Sequence, residues 1–146
     1  MTHQETLDRL AAYIGSLVAT SSAQNPAWNI ERKVGGNKPN KWNYVDGCMI
    51  TALLALYEIS GNRKYLEFSD DFMGYFVQED GSILTYSPDD FNLDNVAPGR
   101  TLFTLYDLTG KEKYRRALDT IRSQLDKHPR TEDNSFWHKD IYYKQV

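Results

Sequence analysis

The sequence contains an internal repeat, and this feature constrains the fold more than any other. Residues 52–65 read ALLALYEISGNRKY and residues 101–114 read TLFTLYDLTGKEKY. Matching positions lie 49 residues apart throughout, as in Leu53 and Leu102 or Gly61 and Gly110. A fixed period of this length indicates supersecondary units that stack on one another.

Each repeat unit has the pattern of two helices joined by a short turn. Helices are predicted over 46–60 and, from a start between 94 and 99, up to 109, and both are apolar almost all round. Gly61 and Gly110 end them, and an amphipathic helix follows each glycine. A buried helix paired with a one-sided helix is typical of an all-α toroid, in which inner helices line a ring and outer helices face water. An open solenoid would expose both helices.

The remaining elements are predicted from local signals. Thr2 and Glu5 form a capping box for a first helix that ends near Thr20, and residues 21–43 form a long loop. A short extended piece is predicted over 83–86, and the chain beyond His128 is predicted to be loop. Cys48 is expected to face the core as a small apolar side chain.

The length fits one domain, residues 1–146, but the repeat sets a larger scale. Six hairpins of 49 residues make roughly 300 residues, and this sequence holds two complete hairpins and a leading helix. We therefore expect αα-hairpin repeats that make up less than half of such a toroid. Inner-helix faces that lack neighbours are expected to be bare, which predicts self-association through exposed apolar faces.

Composition excludes several classes of function. The net charge is −3 and the basic residues are scattered, so neither nucleic acid nor a membrane is an expected partner. The single cysteine excludes an internal disulfide and a Cys-rich metal site, and no metal or cofactor is predicted. The N-terminus lacks the basic lead and apolar centre of a signal peptide, so a cytoplasmic location is expected.

Polar and aromatic residues precede each inner helix at matching places in the period. Trp42 and Tyr44 come before the first, Asp94 comes before the second, and His138 and Lys139 stand where a third should begin. Helices related by the repeat point the same way, so these residues should meet at one mouth of the ring. Convergent polar groups and aromatics there predict a binding site.

Each of these residues also has a purely structural interpretation. Asp94 or Asn95 has the type of side chain that caps a helix, and Arg100 is a plausible ion-pair partner for Asp94. Tyr44 could serve packing, and His138 could be a solvated loop residue. The recurrence of the three clusters at the same place in the period favours the functional interpretation.

Three motifs together resemble one enzyme family. They are WNYVDG at 42–47, FNLDNVAPGR at 91–100 and PRTEDNSFWHKDIYYKQ at 129–145. The chain resembles the N-terminal part of the unsaturated rhamnogalacturonyl hydrolases of glycoside hydrolase family 105, relatives of the unsaturated glucuronyl hydrolases. That resemblance implies an (α/α)6 barrel and hydration of the C4=C5 double bond in unsaturated uronyl oligosaccharides from pectin breakdown.

The resemblance also implies roles for individual residues. Asp94 matches one of two catalytic aspartates, and Tyr44, His138, Lys139 and the neighbouring Trp42 match the substrate-binding region. In the family, the principal acid–base aspartate follows the tail motif, beyond the last residues of this sequence. We therefore expect a glycoside hydrolase chain that is inactive alone. The alternative is a catalytically inactive helical module that binds carbohydrate or another partner.

Overall fold

The computed structural model describes residues 2–36 and 38–139, and its regular structure is helical. Within this part of the chain the α-helices are α1 (His3–Ala19), α2 (Ile30–Val34), α3 (Tyr44–Ser60), α4 (Arg63–Phe76), α5 (Arg100–Thr109) and α6 (Glu112–Lys127). Three 3₁₀ turns, Pro88–Asp90, Leu93–Asn95 and Ala97–Gly99, lead into α5. β-Pairing among the described residues is confined to isolated bridges, one of which joins Val77 to Ile83.

The two repeat units are the hairpins α3/α4 and α5/α6, as predicted. Gly61 and Gly110 close α3 and α5 in the left-handed conformation, with φ of 66° and 67°. In each case the glycine N–H donates to the carbonyl of the tyrosine four residues earlier, at 2.8 Å. A residue with a Cβ would be strained at this φ, so the repeated glycine stops the inner helix at the same point in both units.

The core lies between the two hairpins. Ile50 and Leu53 of α3, Leu102 and Leu105 of α5, and Tyr114 of α6 are completely buried. α3 packs beside α5 as well as against α4, so the two inner helices are neighbours. This arrangement places the two residue clusters that precede α3 and α5 at the same end of the helical layer.

A glycine allows the starts of the two inner helices to approach closely. A Cβ built on Gly47 would lie 2.8 Å from the Cα of Pro98, which is shorter than any relaxed carbon–carbon contact. The N-terminal turn of α3 therefore rests directly on the Ala97–Gly99 turn. This contact fixes the Trp42–Tyr44 segment relative to the segment that carries Asp94.

The structure corrects two local predictions. The loop predicted over 21–43 contains α2, whose start is capped by the buried Asn29, because its Oδ1 accepts from the backbone N–H of Arg32. Cys48 is exposed, so the prediction that it faces the core is wrong. α3 is apolar on most sides, but it is not buried on all of them. Cys48 lies on a side of the helix that no described element covers.

Two further findings concern the surface. Ile59 of α3 and Phe103 of α5 expose 66% and 61% of their surface, so the inner helices carry bare apolar positions. Among the described residues, no helix combines the length and the hydropathy needed to cross a membrane.

Candidate functional site

Asp94 lies in a short turn whose cap is a neighbouring asparagine. The Oδ1 of Asn92 accepts a hydrogen bond of 3.0 Å from the backbone N–H of Asp94. Gly99 precedes α5 and provides no side-chain cap. The capping role that the sequence left open for Asp94 or Asn95 thus belongs, at this turn, to Asn92. The Asp94 carboxylate is left to interact with a distant segment.

That segment is the tail after α6. It folds back through a bridge between Arg130 and Phe136 and then pairs with the Asp94 turn, where Asn92 bridges Lys139. The Leu93 N–H donates to the His138 carbonyl at 3.0 Å. Pairing of the two backbones brings side chains that are more than 40 residues apart in sequence into one cluster.

The cluster consists of one carboxylate and two basic side chains. Lys139 Nζ lies 2.7 Å from Asp94 Oδ2, and His138 Nε2 lies 3.4 Å from Asp94 Oδ1. All three side chains are partly exposed, with 28% of the Asp94 side chain accessible. Solvent, and hence a ligand, can reach the carboxylate and both of its partners.

The charge state of Asp94 follows from these contacts. Partial burial opposes ionisation, but the hydrogen bond and charge of Lys139, with a smaller contribution from His138, outweigh it. The pKa of Asp94 therefore lies below its ordinary value, and the group is a carboxylate at neutral pH. In this arrangement Asp94 is suited to accept a proton or to orient a water molecule, and it is poorly suited to donate a proton.

Trp42 and Tyr44 occupy different environments at the same end of the helical layer. Trp42 is 4% exposed, and its indole Nε1 donates to the Asn95 carbonyl at 2.7 Å. Tyr44, the first residue of α3, is 44% exposed. Trp42 thus supports the Asp94 turn from beneath, whereas Tyr44 is accessible to a ligand. The predicted roles of Tyr44, Trp42, His138 and Lys139 in substrate binding stay predictions, and the burial of Trp42 limits it to contact through the residues above it.

Arg100 was an alternative partner for Asp94, and the structure places it elsewhere. Within the described residues, Asp94 forms an ion pair with Lys139, and His138 lies close enough to form one when its imidazole is protonated. Arg100 instead lines a cleft between α3 and α5 with Glu58 and Thr104. The electrostatics of the Asp94 turn are therefore governed by the tail.

Comparison with known proteins places the chain in a family. The model for Glycosyl Hydrolase Family 88 matches residues 17–146. The chain belongs to this family. Among solved structures, a glycoside hydrolase from family 105 of C. acetobutylicum ATCC 824 is 39% identical, with a TM-score of 0.72. The match covers 80% of this chain and 33% of that protein, so this chain spans about a third of the relative's length.

The comparisons confirm the predicted resemblance and fold class. The chain belongs to a glycoside hydrolase family, and its αα-hairpins form part of an (α/α)6 toroid. The roles of individual residues do not follow from family membership and are argued below from their contacts.

Two buried polar residues that contact the segments of the site had no signal in the sequence of this family 88 chain. Gln124 of α6 is completely buried, and its Nε2 donates to the Asn92 carbonyl at 3.1 Å. His128 is 3% exposed, and its Nε2 lies 2.6 Å from the Trp137 carbonyl. One residue contacts the Asp94 turn and the other contacts the tail. Their helical spacing of four was visible in the sequence, but their partners were not.

Asp46 is a second carboxylate in the region and, unlike Asp94, it is buried. It is 3% exposed and accepts hydrogen bonds from Trp28 Nε1, Asn40 Nδ2 and Asn43 Nδ2, at 2.8, 2.7 and 2.8 Å. Burial raises its pKa, and the hydrogen bonds from Asn40 and Trp28 oppose that effect. Because its oxygens are enclosed by protein donors, Asp46 anchors the 21–43 loop to α3 and is out of reach of a ligand.

The donor set at the Asp94 cluster suits an organic anion better than a metal ion. Asp94 and His138 could each ligate a metal, but the described ranges contain no group of three or more His, Cys, Asp or Glu side chains placed to hold one. Lys139 brings a positive charge to the same spot. An exposed ammonium and an imidazole beside a carboxylate can bind an anionic sugar while the carboxylate orients a hydroxyl or water.

Proposed function

We propose that this chain supplies part of the active site of a hydrolase that hydrates the C4=C5 double bond of an unsaturated uronyl oligosaccharide. The observation that carries the proposal is the Asp94–Lys139–His138 cluster, which lies at the end of the helical layer where the inner helices begin. Each member falls in a motif that resembles the family 105 enzymes. The substrate is an acidic sugar with a vinyl ether, and the basic pair beside Asp94 matches its charge.

Hydration of a vinyl ether divides the work between two groups. One must protonate C4, and the other must hold or deprotonate the water that adds at C5. The resulting hemiketal then opens and releases the neighbouring sugar. Asp94, kept ionised mainly by Lys139, fits the second role, since a proton donor at neutral pH needs a raised pKa.

The proton donor in this scheme is a second carboxyl group. In the family 105 enzymes that this sequence resembles, an aspartate suited to that role stands in an L-D-G step after the tail motif. Two carboxyl groups in different environments can divide the acid and base roles. We therefore expect the 146-residue chain alone to bind the sugar and not to hydrate it.

Binding and turnover test this proposal separately. The chain is titrated with an unsaturated galacturonyl-rhamnose disaccharide and with its saturated counterpart, and the His138 and Lys139 signals are followed by NMR. Selective shifts with the unsaturated sugar are the expected result. Equal shifts with both sugars would favour the alternative, a carbohydrate-binding module, and no shift with either would overturn the proposal.

Turnover is followed as loss of the ultraviolet absorbance of the double bond. We expect no loss above background from this chain. A loss that disappears in Asp94→Asn would show that one carboxylate suffices, and the division of labour proposed above would then be wrong.

A further inference from the structure

We propose that Gln124 and His128 are positioning residues that hold the two halves of the Asp94 cluster together. The inference rests on the proposed function in so far as it takes the Asp94 cluster to be an active site. The hydrogen bonds from which it is argued do not depend on any substrate. Both residues are buried and polar, and their side-chain hydrogen bonds are made to the Asn92 and Trp137 carbonyls, to Tyr86 and to each other. Such groups are retained inside a protein when their hydrogen bonds are satisfied and needed.

The two side chains connect the segments that carry the site. Gln124 Nε2 donates to the carbonyl of Asn92, the residue that caps the Asp94 turn. His128 contacts the carbonyl of Trp137, the residue immediately before His138 and Lys139. Gln124 Nε2 also lies 3.3 Å from His128 Nδ1. A single chain of contacts thus runs from the Asp94 turn through α6 to the tail.

The donor and acceptor roles in this series of hydrogen bonds follow from the groups at its ends, the Tyr86 hydroxyl and the backbone carbonyls. The Tyr86 hydroxyl donates to Gln124 Oε1 at 2.8 Å, and burial, with a contribution from the charge of Asp90, raises the pKa of Tyr86 to about 12, so the hydroxyl keeps its proton. The Gln124 amide must then present its NH₂ to the Asn92 carbonyl and to His128 Nδ1. Nδ1 accepts, so the imidazole proton is on Nε2 and is donated to the Trp137 carbonyl.

Aromatic packing holds the imidazole in this orientation. The His128 ring meets Phe91 edge-on at 5.7 Å between centroids and Phe136 at 5.5 Å. Phe91 precedes Asn92, and Phe136 precedes Trp137. The segment that carries Asp94 and the tail therefore both pack against the His128 ring. Both the hydrogen bonds and the packing of His128 therefore join the Asp94 turn to the tail.

The experiment uses three variants of the full chain. Gln124→Met and His128→Phe keep the volume and lose the hydrogen bonds. Ser69→Ala is the control, because Ser69 is equally buried in α4 and bonds only within its own helix, to the Tyr65 carbonyl. All three are first compared with the parent chain by circular dichroism and thermal unfolding.

The readouts report the position of the tail. In both network variants the Asp94 pKa, measured by carboxyl NMR titration, is expected to rise, because Lys139 is no longer held beside it. The Leu93 amide, which donates to the His138 carbonyl, is expected to exchange roughly fivefold faster, the factor for one net hydrogen bond. Ser69→Ala should change neither. Folded network variants that match the parent in both readouts would overturn the proposal.

Two measurements decide the matter if those variants fail to fold. Tyr86→Phe removes one hydroxyl at the edge of the network and should speed Leu93 exchange in the same direction. In the unmodified chain, ¹⁵N shifts should report His128 protonated on Nε2, and the opposite tautomer would refute the network. None of these readouts needs a substrate, so failure of sugar binding would overturn the proposed function and leave the positioning role standing.

Discussion

Replacement of Gly47 by alanine should destabilise the chain through one contact between the two hairpins. The new Cβ would lie 2.8 Å from the Cα of Pro98 and 3.1 Å from its Cβ. Relaxed carbon–carbon contacts are about 3.5–4.0 Å, so α3 and the Ala97–Gly99 turn must separate by roughly 0.7–1.2 Å. Backbone cannot move aside as a flexible side chain can, so overpacking of this kind costs about 1–3 kcal/mol.

Alanine also has a higher helix propensity than glycine, and this effect must be removed from the comparison. In a helix interior the gain is about 0.8–1.0 kcal/mol. Gly15 of α1 provides the matched control, because a Cβ built there meets nothing within 4 Å. Gly15→Ala should stabilise the chain by about the propensity gain. The difference between the two variants then isolates the contact with Pro98, at about 1–3 kcal/mol.

Urea unfolding followed by circular dichroism measures this difference, and thermal unfolding supports it. For a chain of this size the two variants should differ in Tm by roughly 3–9 °C. The slope of the urea transition should match in both, which shows that the unfolded states are comparable. If Gly47→Ala is as stable as Gly15→Ala, the close approach of the hairpins does not hold and the account of how the site is positioned is wrong.

Three further outcomes are expected. Trp42→Phe should cost at least about 1 kcal/mol in urea unfolding, because it removes the indole N–H that donates to the Asn95 carbonyl and leaves a void where the larger buried ring packed; unchanged stability would contradict that contact. Lys139→Met should raise the Asp94 pKa in an NMR titration, because Lys139 is the main cause of its lowered pKa. A carboxyl group whose pKa is lower in the folded than in the unfolded chain stabilises the fold above its unfolded-state pKa, and this stabilisation is lost as the pH falls through its folded-state pKa. The variant should therefore lose less stability on acidification than the parent. Phe103→Ser should reduce self-association in sedimentation and the binding of hydrophobic dyes, because the parent exposes 61% of this residue; a parent chain that is monomeric and binds no dye would refute this.

The hairpins were predictable because their signals are local. Gly61 and Gly110 end helices by adopting a left-handed backbone, and Thr2 with Glu5 caps α1 through groups three residues apart. Such interactions are complete within one helical turn, so residue type and spacing are enough to predict them. The repeat added the pairing of inner and outer helices, since two copies of one pattern must pack in the same way.

The site was predictable as a set of residues but not as an arrangement. The recurrence of polar clusters before inner helices indicated Asp94, His138 and Lys139, yet nothing local indicated that Lys139 would be the ion-pair partner in preference to Arg100. That choice depends on the tail folding back onto Asn92 and Leu93. Contacts between residues more than 40 positions apart depend on how the hairpins pack. The spacing of residue types along the sequence does not predict that packing.

Burial was decided by the tertiary structure for the same reason. Cys48 is exposed and Gln124 is completely buried, the reverse of what residue type alone favours. Gln124 is tolerated inside because Tyr86 and Asn92 satisfy its amide, and those partners lie more than 30 residues away along the chain. The amino-acid sequence by itself determined five of the six described α-helices, their approximate ends and the pairing of the hairpins, whereas it missed the short helix α2. Only the packed structure decided which polar groups meet, because a hydrogen bond or ion pair between distant segments exists only after the apolar core has brought those segments together.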